Sequence, residues 1–238
     1  MIKRILQTAG FAGVGAALVL TLVQAIWVSP LILQAETYEH AASAAHSDAH
    51  EAGGHHHEET DWEPEDGWQR MTATVAANLV VGVAFGLMLA GAISLRPPRK
   101  LAYGLLWGLA GYAVFVLAPS AELPPELPGT QAADLHARQL WWVGTAVATA
   151  VGLATLAFAP SRWLKTGAVA LLVVPHLIGS PQLASATMLA PASLHHEFVI
   201  ATLAADASFW LTLGVLCTLF FRRRNVSTSL CAPGQEYA

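Results

Sequence analysis

The chain predicts an all-α fold: a polytopic membrane helix bundle of about six transmembrane helices. Three observations predict it. Of 238 residues, 55% are hydrophobic and only 12% are charged, where a soluble domain carries about 25% charged residues. Six apolar stretches approach the roughly 20 residues that a hydrocarbon core requires. Ten of the twelve Lys and Arg residues fall in segments that six spans place on one side. The length fits one membrane domain over 1–238 and no separate soluble domain. No basic face suited to nucleic acid is present.

The spans are 8–33, 72–95, 101–118, 140–159, 166–178 and 198–221. The first follows Lys3 and Arg4. Its rival reading is a secretory signal cleaved after Val23-Gln24-Ala25, which would leave five spans. The uncharged run from Ile5 to Ala35 exceeds a usual signal core, and Pro30 to Leu33 extends it, so a retained helix is expected. The second and third spans carry Gly82-x-x-x-Gly86 and Gly104-x-x-x-Gly108, patterns that let helices approach closely. The fifth span is short and must borrow Trp163 and Leu164 or sit in thinned bilayer.

The basic residues are Lys3 and Arg4, then Arg96, Arg99 and Lys100, then Arg162 and Lys165, then Arg222, Arg223 and Arg224. Six spans put all of these on one face and leave only Arg70 and Arg138 on the other. Positive charge marks the cytoplasmic side. Both termini are therefore expected in the cytoplasm, with 222–238 as a short tail. A five-span or seven-span count breaks this pattern. The acidic residues segregate in reverse: of sixteen, only Glu236 is placed inside. The two cysteines, Cys217 and Cys231, form no C-x-x-C pair and predict neither a disulfide nor a thiolate metal site.

The first outer segment, 34–70, is rich in histidine and acid. His40, His46, His50, His55, His56 and His57 alternate with ten carboxylates between Glu36 and Asp66. Imidazole and carboxylate suit borderline divalent ions such as Co²⁺, Ni²⁺ and Zn²⁺. The alanine-rich part can form a helix that places His46 and His50 one turn apart on one face. Gly53-Gly54 then breaks it. A flexible tract must be ordered on binding, which weakens affinity. The segment therefore reads as a capture surface for metal and less as a selective gate. Protonation of its imidazoles should weaken binding in acid. His195, His196 and Glu197 at the outer mouth of the last span form a second candidate ligand group, against the plainer reading of a helix start.

Inside the spans, Asp206 lies nine residues past Glu197, about 13 Å along a helix at 1.5 Å per residue. An acid at such depth costs roughly 2.5–3.5 kcal/mol on insertion scales, so it marks function or a firm partner. His176 is the expected partner, preceded by Pro175, which frees a backbone carbonyl. Gln24 and Asn78 occupy similar depths. Asp206, His176, Gln24 and Asn78 together are candidates for a polar path through the bundle. The alternative for each is a structural hydrogen bond.

Between spans three and four runs Glu122-Leu-Pro124-Pro125-Glu126-Leu-Pro128-Gly129. Thr130 is placed to cap a short helix in which Asp134 and Arg138 stand at i, i+4 and can pair. His136 reads as a surface histidine, and Trp141 and Trp142 as interface anchors.

This stretch, with Arg138-Gln139-Leu-Trp141-Trp142, Pro30-Leu-Ile-Leu-Gln34-Ala-Glu36-Thr-Tyr38-Glu39 and Pro175-His176-Leu-Ile-Gly179, resembles the CbtA family of predicted bacterial cobalt transporter subunits. The similarity runs through the chain. It implies a multi-pass subunit of the bacterial inner membrane for Co²⁺ uptake, linked to cobalamin synthesis. It also implies a small single-span, histidine-containing partner like CbtB. On matching positions it makes Glu36, Glu39, Glu126, Arg138 and His176 candidates. The family is often described with five spans, against the six counted here. No nucleotide-binding signature is present, no resident cofactor is expected, and the chain is not expected to be an enzyme. A second reading is a membrane-anchored buffer or sensor for Co²⁺, Ni²⁺ or Zn²⁺ without transport.

Overall fold

The computed structural model of the chain describes residues 2–47, 67–98, 100–183 and 187–230, with side chains at 2–44, 67–98, 100–183 and 187–223. The expectations on His50, His55, His56, His57 and Cys231, and on the side chains of His46 and Arg224, lie outside the described residues. Regular structure is helical: α1 (Ile2–Val23), α2 (Ser29–Ser47), α3 (Trp68–Leu95), α4 (Ala102–Tyr112), α5 (Ala118–Ser120), α6 (Leu135–Phe158), α7 (Arg162–Ile178) and α8 (Ala192–Leu230). No strand occurs among the described residues. Thr130 and Met188 form one isolated bridge.

Two π-turns interrupt these helices, Gln24–Val28 between α1 and α2 and Ala113–Leu117 between α4 and α5. Each ends two residues before a proline, Pro30 and Pro119. Proline lacks the N–H for the helix ladder and its ring crowds the carbonyl four residues back. A widened turn just upstream accommodates that crowding without ending the helix. The backbone stays helical on both sides of the first π-turn, so the helical run is unbroken over Ile2–Ala44.

Five helices are long and apolar enough to cross a membrane: Ile2–Ala44, Trp68–Leu95, Ala102–Ser120, Leu135–Phe158 and Ala192–Arg223. The sixth expected span is α7, of 17 residues. It is about 25 Å long at 1.5 Å per residue, short of a hydrocarbon core of about 30 Å. It starts at Arg162 and so takes in Trp163 and Leu164, as its short apolar run requires. Large side chains face outward, with Leu95 and Leu177 each 80% exposed. The buried positions are often small, among them Ala9, Ala12, Ala16, Ala90, Ala201 and Ala205. Small residues inside and large apolar ones outside is the distribution of a bundle solvated by lipid.

The described chain forms two compact units. One comprises the described residues of Met1–Leu22, Met71–Tyr112 and Asp206–Ala238; the other comprises those of Val23–Arg70 and Ala113–Ala205.

In the first unit, backbones meet through glycine. Gly82 and Gly86 of α3 lie against Gly13 and Ala9 of α1. Gly104 and Gly108 of α4 lie against Gly214 and Trp210 of α8. Both G-x-x-x-G patterns thus serve close packing. Phe85 of α3 stacks at 4.8 Å on Trp210, which is 2% exposed. At the charged end, the Arg4 guanidinium lies 3.6 Å from the centre of the Phe221 ring and donates to the Phe221 carbonyl. Cys217 is fully buried and free.

In the second unit α6 packs along α7, with Gly152 facing Leu172 and the Ala168 carbonyl. Phe115 of the second π-turn meets Trp142 at 6.1 Å. The loops 121–134 and 179–191 are stitched together. Ser180 Oγ donates to the Glu122 carbonyl at 3.0 Å, and the Gln131 amide donates to the Thr187 carbonyl at 3.1 Å.

A methyl group on Gly214 would fall 2.6 Å from the Gly108 backbone nitrogen, whereas one on Gly91 meets nothing within 4 Å. Gly214→Ala should therefore destabilise the detergent-solubilised protein by about 1–3 kcal/mol, the usual cost of overpacking. Gly91→Ala should stay within about 0.5 kcal/mol of wild type. Thermal unfolding of the two variants side by side checks this; equal melting temperatures would refute the α4–α8 contact.

Candidate functional site

The described carboxylates of the second unit divide by what holds them. Glu36 sits on α2 and Arg70 in the first turns of α3. Arg70 donates through Nη1 to Oε2 at 3.0 Å and through Nη2 to Oε1 at 2.7 Å. This two-pronged fit is the strong geometry for guanidinium and carboxylate. It clamps the far end of the first long helix to the start of the next. α2 carries on to Ser47, so Glu36, Glu39 and His40 stand on a helix and not in a loose loop. The alanine-rich sequence after Glu39, with no glycine before Gly53, lets the helix continue. His40 is exposed on it and Glu39 half-buried.

The proline-rich segment behaves differently from its local pattern. Arg138 does not pair with Asp134 one turn away; its Nη2 donates to Glu126 Oε2 at 2.7 Å. Asp134 instead caps α6, its Oδ2 accepting from the Ala137 amide at 2.8 Å. Thr130 lies in the bridge to Met188, and the helix it was expected to cap is the start of α6 itself. Two of the motif acids, Glu36 and Glu126, are therefore committed to arginines, and Asp134 to a helix end. His136 is exposed, as expected of a surface histidine.

His176 occupies the last turn of α7, just before Gly179 turns the chain with φ +76. Its Nδ1 lies 3.8 Å from Glu122 Oε1, and each side chain is 30% exposed. The Trp141 ring meets the imidazole edge to face at 6.4 Å. The Trp141 indole N–H is buried with no acceptor among the described residues. Trp141 thus abuts the histidine. Sequence reasoning missed Glu122. The signal was present, since Glu122 opens the same proline run as Glu126, but nothing local ties it to a histidine in another loop.

At the start of α8, His195, His196 and Glu197 are not brought to one point. His195 is half-buried, with its Nδ1 shielded and unpartnered among the described residues, whereas His196 and Glu197 are exposed. Successive helix positions diverge by about 100°. Among the described residues, no group of three or more His, Cys, Asp or Glu side chains converges to hold a metal ion.

The remaining path candidates have individual settings. Asp206 is half-buried on α8, in the first unit, and Tyr112 at the end of α4 is its electrostatic neighbour. Asn78 is 8% exposed and its Nδ2 donates to Thr21 Oγ1 at 3.0 Å, a bond between α3 and α1. Gln24 is half-buried at the first position of the first π-turn. π-turns often mark functional positions in helices.

The apolar helices, the paired motif acids and the His–Glu contact can now be set beside known proteins. No curated protein and no solved structure matches the chain. A family described as probable cobalt transporter subunit, CbtA, matches residues 2–222. With nearly its whole length covered, the chain belongs to the CbtA family of probable cobalt transporter subunits.

Proposed function

We propose that this chain is the membrane subunit that carries Co²⁺ inward across a bacterial inner membrane, with both termini in the cytoplasm. The observation that carries the reading is the family match over 2–222 on a bundle of helices able to span a bilayer. The distribution of ligand types supports the direction. All ten histidines lie on the face opposite the basic loops or within spans. His40, His46, His50, His55, His56 and His57 would collect the ion, with His195, His196 and Glu197 as further contacts. His176, Asp206, Gln24 and Asn78 would line its passage. Glu36, Glu39, Glu126 and Arg138 would shape the entrance, two of these acids through their arginine pairs.

The chain has no nucleotide-binding motif, so the work comes from a partner or from the membrane. An inward potential supplies about 4.6 kcal/mol per 100 mV to a divalent cation, at 2.3 per charge. A subunit implies at least one partner, and a small single-span, histidine-bearing protein like CbtB is the one proposed. A supply of cobalt for cobalamin synthesis is the corresponding role. Six histidines gathered in one segment favour a second reading, a membrane-held buffer or sensor for Co²⁺, Ni²⁺ or Zn²⁺.

Radiolabelled Co²⁺ uptake, with the partner co-expressed, separates the two readings. Asp206→Asn and His176→Ala should each lower uptake by about tenfold or more at every Co²⁺ concentration, the scale of losing a ligand or its support. Replacing the six loop histidines with Asn should lower uptake only when Co²⁺ is limiting. If uptake is untouched in both point variants yet lost with the loop histidines, the buffer reading stands. Acidifying the medium should weaken metal retention by the wild type more than by the loop variant, because protonated imidazole cannot bind metal. Equilibrium dialysis across pH checks this, and parallel curves for the two proteins would contradict it.

A further inference from the structure

We propose that Glu122 and His176 form a two-ligand transfer seat for a borderline divalent cation, a position that deepens and rests on the transport reading above. The first support is the sorting of carboxylates. In the second unit Glu36 and Glu126 each accept a guanidinium, and Asp134 caps a helix. Glu122 faces a histidine and, among the described residues, no arginine or lysine. An acid already forked to arginine is a poor metal ligand, because the ion must displace a fixed positive charge. Glu122 carries no such burden.

The second support is distance. His176 Nδ1 and Glu122 Oε1 are 3.8 Å apart, too far for a good hydrogen bond. Metal bonds of about 2.1 Å to imidazole nitrogen and to carboxylate oxygen together reach about 4.2 Å. One ion can therefore bridge both atoms after they approach by about half an ångström, which brings the bond angle close to tetrahedral. Both side chains are partly exposed, so water can complete the coordination.

The third support is how the pair is held. The Glu122 carbonyl accepts from Ser180 Oγ at 3.0 Å, which ties its backbone to the loop that follows α7. Gly179 turns that loop directly after the helix. The Trp141 ring meets the imidazole edge to face, with the ring centres 6.4 Å apart. An indole N–H only donates, so Trp141 is a neighbour of the pair and not a ligand. Two protein ligands make a weak site, and conduction needs ions that leave as readily as they enter.

The plainer alternative is a simple ion pair that pins α7 to the proline loop. A thiolate reporter distinguishes them. In the purified full-length protein, His176→Cys should give a thiolate-to-cobalt charge-transfer absorption on Co²⁺ titration, saturating at the intensity of one thiolate-bound ion per chain, above the wild-type spectrum. His176→Ser should not. Adding Glu122→Gln should weaken the titration about tenfold or more, whereas Glu122→Asp should largely preserve it. The reciprocal reporter, Glu122→Cys with and without His176→Gln, serves if the first variant fails to fold. A charge-transfer band that is absent from both reporters, or indifferent to the second residue, overturns the seat. Vesicle uptake of Co²⁺ by the wild type is measured in parallel. Uptake with no coupled band refutes the seat and leaves transport standing. A coupled band without uptake refutes transport and leaves a binding site.

Discussion

Hydrocarbon offers no partner to a backbone N–H or C=O, so each crossing segment must satisfy its own backbone. That constraint produces the helices, and three prolines locally relax it. Pro30, Pro119 and Pro175 each remove a ladder bond from a long helix. Two π-turns absorb the first two, and Gln24 stands at the start of one of them. Pro119 is followed within three residues by Glu122, and Pro175 is followed at once by His176. Prolines that loosen the ladder thus stand near Gln24, Glu122 and His176, the residues proposed for the cation's route.

Around those loosened points the fold is tightened by charge. Glu36 with Arg70 and Glu126 with Arg138 are part-exposed pairs at 2.7 Å. Exposed ion pairs contribute little stability, typically under about 1 kcal/mol. Their value here is geometric. Each fixes where a helix begins or where a proline-rich loop lies, and each removes an acid from the set available to metal. Chemistry and scaffold are divided among residues of the same type by whether an arginine is present.

The spans were legible in the sequence because lipid demands length and apolarity, and both are properties of a run and not of a neighbour. The G-x-x-x-G patterns were legible for the same reason. Local rules failed where the chain folds back. Asp134 and Arg138 satisfy the i, i+4 rule, yet Arg138 reaches Glu126 across the proline loop and leaves Asp134 to cap α6. His176 stands two residues before the end of α7, as it does in the expected span 166–178. The histidine is therefore a helix-end residue, and its contact with Glu122 depends on two loops meeting, which no periodicity encodes. The π-turns were hidden because an i+5 bond leaves no compositional trace beyond the proline that provokes it.

Sparse ligation within the bundle has an energetic logic for an imported divalent ion. The membrane contributes about 4.6 kcal/mol per 100 mV to its inward movement. Each tenfold gain in site affinity is worth about 1.4 kcal/mol, so a thousandfold tighter internal site offsets nearly all of that drive when the ion must leave. In the proposed route the histidine-rich segment meets the ion before the barrier, where many ligands do not oppose the inward step. A many-ligand seat inside the route does oppose it. The proposed pair, the Glu122 carboxylate on the loop after α5 and the His176 imidazole in the last turn of α7, sits at the lean end of that range. A third strong ligand there would turn a step in the path into a trap.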